Sequence, residues 1–102
     1  MKEITYKITR GYSESVTERT EVTGTFLFDL YGYQWAVHPE PPLGYLVVSE
    51  VSTGFELESG RFFKDAHYAS KWAWSYLLKK GEILTRHYVE HARMKLQGYE
   101  AI

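Results

Sequence analysis

The chain has no cysteine, which excludes disulfides, thiolate nucleophiles and cysteine-bound zinc. It has only three prolines, and their clustering within residues 38–44 predicts a single loop there. No stretch approaches the ~20 apolar residues of a membrane span, and the N-terminus lacks the apolar run of a signal peptide. These absences predict a cytoplasmic protein without a membrane partner.

What the chain does have is the composition of a folded domain with many aromatic residues. Its 102 residues are 44% hydrophobic and 25% charged, which fits one domain spanning residues 1–102 and argues against disorder. Phe, Trp and Tyr make up 17% of the residues. In so small a domain, most of them are expected in the core or in half-buried strands.

Residues 1–60 have the patterns of a sheet. Ile4, Tyr6 and Ile8 alternate with polar residues, as expected of a half-buried strand. Similar patterns predict further strands at residues 16–23, 25–31, 33–38, 45–52 and 55–59. Thr53 and Gly54 are expected to turn the chain between the last two. The prediction is a mainly antiparallel sheet of four to six strands.

Residues 61–102 have helical periodicity instead. Small and apolar residues recur at spacings of three and four before Gly81, and Leu84, Tyr88, Ala92 and Leu96 recur at spacings of four after it. Gly81 follows two lysines, which is typical of a C-terminal cap. We therefore expect an α+β fold in which two C-terminal helices pack on one face of the sheet.

Charge is divided between the two halves of the chain. Residues 1–60 carry four basic and nine acidic residues, whereas residues 61–102 carry eight basic and four acidic ones. The sheet half is therefore acidic and the helical half basic. This division indicates either a functional polarity or ordinary solvation of two surfaces.

The string from His87 to His91 matches the H-x-x-E-H pattern, in which two histidines bind zinc and a glutamate acts as base. The histidines share a helix face, with Glu90 beside them. A third ligand is missing from the short remainder of the chain, although His38 or His67 could supply one. The expectation is a solvated face, with metal binding or a metal-dependent enzyme as alternatives.

Other catalytic patterns are absent from the sequence. It has no G-x-S-x-G elbow, P-loop or G-x-G-x-x-G motif. Glu56 and Glu58 share a strand face, where two solvated side chains explain them better than a catalytic pair. We expect no enzyme activity and no cofactor.

Nucleic-acid binding is the alternative offered by the basic half. Its candidate residues are Lys71, Lys79, Lys80, Arg86 and Arg93. Glu90 interrupts this charge, and the net charge of the whole chain is −1. Phosphate binding depends on clustered cations, so we expect at most weak, salt-sensitive affinity.

Protein binding is the favoured function. Trp72 and Trp74 are two apart on a helix and cannot face the same surface, so Trp72 is expected in the core. Trp74 shares a flank with Leu78, which is either covered by the second helix or exposed to a partner. In the strand at residues 45–52 both faces are apolar, and the N-terminal hairpin offers little cover. This strand is therefore predicted either to be buried on both faces or to meet a partner through Leu46 and Val48, a homodimer being the simplest partner.

Several segments also resemble small phage and mobile-element accessory proteins. The resemblance covers W-A-V-H at residues 35–38, the strand ending in V-S-E-V-S-T-G at residue 54, and the helix start at Asp65 and Ala66. Phe62 stands where these proteins tend to have a helix-capping threonine. The resemblance implies a protein that acts by binding, as an inhibitor or regulator of a larger nucleic-acid-processing enzyme. It implies no catalytic residue.

Overall fold

Four antiparallel strands form one sheet in the order β1-β2-β3-β4 in the computed structural model, which describes residues 2–12 and 15–100. The elements are β1 (Glu3–Tyr12), β2 (Ser15–Leu30), β3 (Tyr33–Glu40), β4 (Tyr45–Glu50) and α1 (Ala66–Glu100). The predicted α+β class and antiparallel sheet are confirmed. The sheet has four strands, the lower end of the predicted range.

β2 is one long strand where two were predicted. Its first half pairs with β1 and its second half with β3, and Gly24 lies at the change of partner. A Cβ at Gly24 would lie 2.2 Å from the carbonyl oxygen of Val37, so a side chain there would clash with backbone. Glycine lets β2 pass close to β3 at this point without breaking the strand.

The main core lies between one face of the sheet and α1. Trp35 is fully buried at its centre and Val89 completes it from the far part of the helix. The other buried members are Tyr33, Val37, Val48, Leu57, Ala69, Ala73 and Leu77. The small side chains of Ala69 and Ala73 allow α1 to lie close on the strands.

The opposite face of the sheet is covered by the chain itself. Tyr6 and Ile8 of β1 pack against Ala36 of β3, with Val22 and Val51 at the margin of this second cluster. The sequence-based expectation that the N-terminal hairpin is too poor in apolar residues to cover this face is therefore wrong. β1 also reaches the chain beyond β4, because the N–H of Thr9 donates to the carbonyl of Gly54 at 3.0 Å.

α1 begins at an aspartate cap and is broken once. The carboxylate of Asp65 accepts a hydrogen bond from the backbone N–H of Tyr68 at 2.8 Å, so the missing threonine at Phe62 is not needed. Gly81 has non-helical backbone angles (φ 82°, ψ 165°). We call residues 66–80 the first arm and residues 82–100 the second arm.

The prediction of two separate helices needs correction, because the two arms form one helical element without an intervening loop. The break does fall at the predicted glycine. Both arms supply buried residues to the same core, including Ala73 and Val89, so helical packing on one face is confirmed. Within the described ranges, no helix combines the length and apolarity needed to cross a bilayer.

Residues 51–63 are irregular, and the strand predicted at residues 55–59 is absent. The segment begins with a turn held by buried Glu50, whose carboxylate accepts hydrogen bonds from the backbone N–H groups of Ser52 and Thr53 at 2.8 and 3.0 Å. Beyond the turn, the N–H of Leu57 donates to the carbonyl of Val48 at 2.9 Å. Isolated bonds of this kind anchor the segment without forming a ladder.

Candidate functional site

An exposed aromatic surface lies on the first arm, beside β2. The indole of Trp74 packs edge-on against Phe28, with 5.1 Å between the ring centroids, yet the residue remains 42% exposed. Leu78, one turn further along the helix, is 53% exposed. A shallow cavity of about 450 Å³ extends from Trp74 and Phe28 to His67 and Lys71. We call these five residues the Trp74 surface.

The two tryptophans of the first arm lie on different flanks, as their spacing predicts. Trp72 is half-buried between Phe63 and Tyr76, with centroid distances of 5.1 and 4.9 Å. The guanidinium carbon of Arg61 lies 5.1 Å from the Trp72 ring. Trp72 therefore has its neighbours within the chain, and the accessible indole of this helix is that of Trp74.

The second arm does not cover the Trp74 surface. The described residues that line its cavity come from β2 and the first arm alone. Of the two interpretations of this flank, the structure supports exposure. Cover by the second helix, the simpler of the two sequence-based interpretations, is therefore wrong, and Trp74 and Leu78 lie at the surface.

Leu46 and Val48 are not part of that surface. Val48 is 3% exposed and belongs to the main core, while half-buried Leu46 forms a backbone bridge with Phe63. Val48 therefore cannot contact a partner in this structure, and its selection as a partner-binding residue is corrected. Both faces of β4 are covered by the chain, the first of the two predicted alternatives for this strand.

The basic residues of the helix differ in what surrounds them. On the second arm, Arg86 pairs with Glu82 at 2.7 Å and Arg93 pairs with Glu90 at 2.9 Å. On the first arm, the ammonium of Lys80 lies 5.5 Å from the centroid of the Tyr76 ring. Lys71 and Lys79 are exposed. The positive charge proposed for nucleic-acid binding is therefore locally compensated on the second arm.

The three motif residues of the H-x-x-E-H string, His87, Glu90 and His91, are exposed on the second arm. The rings of His87 and His91 are nearly parallel, with centroids 6.5 Å apart, and Glu90 pairs with Arg93. Among the described residues, no group of three His, Asp or Glu side chains is arranged to hold a metal ion. His38, one candidate for a third ligand, is buried on the opposite face of the sheet.

A second concave surface lies in the angle between the two arms. It is a groove of about 330 Å³, which we call the kink groove. Its described lining residues are Leu57, Tyr76, Leu77, Lys80, Leu84, Thr85, His87 and Tyr88. Sequence reasoning did not predict this groove, because it requires the direction in which the arms diverge at Gly81.

A buried polar cluster, also missed by sequence reasoning, joins β1 to β3. His38 is 2% exposed, and its Nε2 lies 2.8 Å from a carboxylate oxygen of Glu40. An ionised carboxylate only accepts, so Nε2 carries the proton and Nδ1 can accept from the hydroxyl of Tyr6 at 3.4 Å. Arg10 donates to both oxygens of Glu40, at 2.9 and 2.8 Å. The alternation of His38 and Glu40 on one face of a strand was the available signal.

The pKa values of Glu40, in this cluster, and of Glu56, beside it, are shifted in opposite directions. Burial alone would raise the pKa of Glu40, but hydrogen bonds from Arg10 and His38 outweigh it and hold that pKa below its ordinary value. For Glu56, burial and the nearby charge of Glu40 raise the pKa. Glu56 was expected to be a solvated side chain, and this is corrected: it is half-buried, whereas Glu58 is exposed.

Ser49 completes the surroundings of this cluster. Its hydroxyl is fully buried and has no hydrogen-bond partner. It lines a cavity of about 10 Å³ together with His38, Glu40 and Glu56. The cavity has about the volume of one water, so the cluster is a structural feature and has no room for an organic substrate.

No family model, curated protein or solved structure matches this chain.

Proposed function

We propose that this protein is a non-enzymatic binding module that docks on an acidic, partly apolar segment of another protein through the Trp74 surface. The observation that carries the proposal is the exposure of Trp74 next to exposed Leu78. Contiguous exposed apolar groups are typical of interaction sites, and tryptophan is enriched among the residues that dominate interface energies. The indole is already held in place by Phe28, which limits the entropy lost on binding.

The charge of the first arm indicates an acidic partner. Residues 66–81 contain three lysines and one histidine but no Asp or Glu. Lys71 lines the cavity beside Trp74, so this charge lies at the edge of the apolar patch itself. On the second arm, Glu82 and Glu90 pair with arginines of the same arm. A carboxylate-rich segment that also presents an apolar side chain would complement both features.

Selection from a random peptide display library tests the proposal. We expect recovered peptides to be enriched in Asp and Glu around an apolar residue, and the indole N–H resonance of Trp74 to shift when such a peptide is added. Trp74→Ala should weaken peptide binding by about thirtyfold or more, since truncating a hot-spot residue costs about 2 kcal/mol or more. Lys71→Glu should also weaken it and reduce its dependence on salt.

Met94→Ala is the matched control, because Met94 is a 67% exposed apolar residue of the second arm. Its affinity for the peptide should equal that of the unaltered protein. Peptides that bind Trp74→Ala as tightly, or that lack acidic enrichment, would refute the proposal. Submicromolar binding of a short DNA duplex at physiological salt, abolished by the double variant Lys79→Ala/Lys80→Ala, would establish the nucleic-acid alternative instead.

A further inference from the structure

The kink groove has the size and lining of a small-molecule site. Its volume of about 330 Å³ lies within the range of roughly 300–1,000 Å³ that is common for ligand pockets. Buried Leu77 and Leu57 form its floor, at 1% and 7% exposure, and the 58% exposed Leu84 forms a wall. An apolar part of a ligand that packs against this floor is removed from water, which is favourable.

Most hydroxyl donors of the groove already have acceptors within the chain. Thr85 donates to the carbonyl of Gly81 at 2.8 Å, which ties the second arm to the kink. Tyr88 donates to the carbonyl of Glu56, and burial raises the pKa of its hydroxyl, so it keeps its proton. These bonds stabilise the walls of the groove. Because both hydroxyl protons are donated within the chain, neither is available to a ligand.

The other described lining residues of the groove include basic side chains and no acidic one. Lys80 and His87 lie on opposite arms and both line the groove, and none of the described lining residues is acidic. The ammonium of Lys80 is held above the Tyr76 ring, at 5.5 Å from its centroid. An apolar floor beneath a cationic rim complements a molecule with an apolar body and one anionic end.

We propose that the kink groove binds a free alkyl or aryl carboxylate, with the apolar body on Leu57 and Leu77 and the carboxylate at Lys80. This site lies on the flank of the first arm away from Trp74, and its occupation does not depend on the proposed protein partner. Gly81 shapes the site, because the divergence of the two arms creates the angle between them.

Titration with decanoate, below its micelle concentration, tests this site. We expect saturable binding that shifts the methyl resonances of Leu57, Leu77 and Leu84. Decyltrimethylammonium has a matching apolar chain with the opposite charge and should not bind. Lys80→Gln should weaken decanoate binding by about tenfold, the loss expected for one charge-assisted contact of about 1.4 kcal/mol.

Lys79→Gln is the matched control, because it removes the same charge from the neighbouring position, which does not line the groove. Decanoate should bind this variant, and also Trp74→Ala, as it binds the unaltered protein. Non-saturable binding, equal binding of the cationic probe, or equal losses in Lys80→Gln and Lys79→Gln would overturn the proposal. Failure of the peptide selection, with decanoate binding intact, would refute only the proposed protein docking.

Discussion

Glu40 is held between Arg10 and His38, and the consequence for stability can be measured. Because its pKa is lower in the folded protein than the ordinary value of 4.5, its stabilising contribution is present above that value and is lost on acidification through the lower pKa. Glu40→Gln should reduce the free energy of unfolding at pH 7 by about 2 kcal/mol, a typical loss for hydrogen bonds to a charged group. The deficit should shrink below pH 4.5 in denaturant titrations.

Glu56→Gln is the comparison with the opposite sign. A raised pKa means that the folded state prefers the protonated carboxyl, so the stability this group provides is lost as pH rises through the folded pKa. We therefore expect the unfolding free energy of Glu56→Gln, minus that of the unaltered protein, to be larger at pH 7 than at pH 4. If the unfolding free energies of the two variants, relative to the unaltered protein, changed with pH in the same direction, the opposite pKa shifts of these carboxyls would be contradicted.

At the level of residues, sequence periodicity predicted which face of a strand or helix a side chain lies on. It was less successful in predicting whether that side chain is buried. It assigned Tyr6 and Ile8 to one face of β1 and separated Trp72 from Trp74, because both follow from the local geometry of a strand or helix. It failed for Glu56, and for Val48 it left burial and a partner contact as alternatives, because the surroundings of both come from residues distant in the sequence. The sequence did not decide whether Trp74 is exposed, because this depends on the course of the second arm.

At the level of elements, the break at Gly81 gives a clear prediction. Its angles lie in a region that is essentially restricted to glycine, and a Cβ there would meet nothing within 4 Å. Gly81→Ala should therefore cost about 1–3 kcal/mol through backbone strain alone. Thermal or denaturant unfolding of the purified variant measures this cost.

Gly98→Ala provides the control on the same helical element. A Cβ at Gly98 also meets nothing within 4 Å, and its backbone is not in the positive-φ region. This substitution should stabilise the protein by about 0.5–1 kcal/mol, because alanine favours helix over glycine. A stabilising Gly81→Ala would show that the two arms can become one straight helix.

Element boundaries could be predicted only where the signal is local. The glycine between two helical patterns marked the break, whereas the strands predicted at residues 16–23 and 25–31 are one continuous strand, β2. The alternation of residues 55–59 resembles a strand, but their pairing with β4 is one isolated bridge, between Glu56 and Ser49. Register and strand pairing depend on the whole sheet, which a local pattern does not describe.

At the level of the whole molecule, the covered second face of the sheet bears on self-association. A homodimer was expected on the argument that this face would need a partner, but Tyr6 and Ile8 already bury it. We therefore expect a monomer in sedimentation at tens of micromolar, with the amide of Val48 slow to exchange. A dimer that persists in Trp74→Ala would indicate an interface elsewhere.

The irregular segment at residues 51–63 has a further effect on how the chain behaves among other copies of itself. β1 and β4 are the outermost strands, and unpaired outer strands can template aggregation. Here the N–H of Thr9 bonds to Gly54, and Leu46 exchanges two bonds with Phe63, at 2.7 and 2.9 Å. Phe63→Pro would remove one of these donors and should promote thioflavin-binding aggregates, whereas Phe63→Ala, which keeps the N–H, should not. One stretch without regular structure thus helps to keep both margins of the sheet from recruiting a strand of a neighbouring molecule.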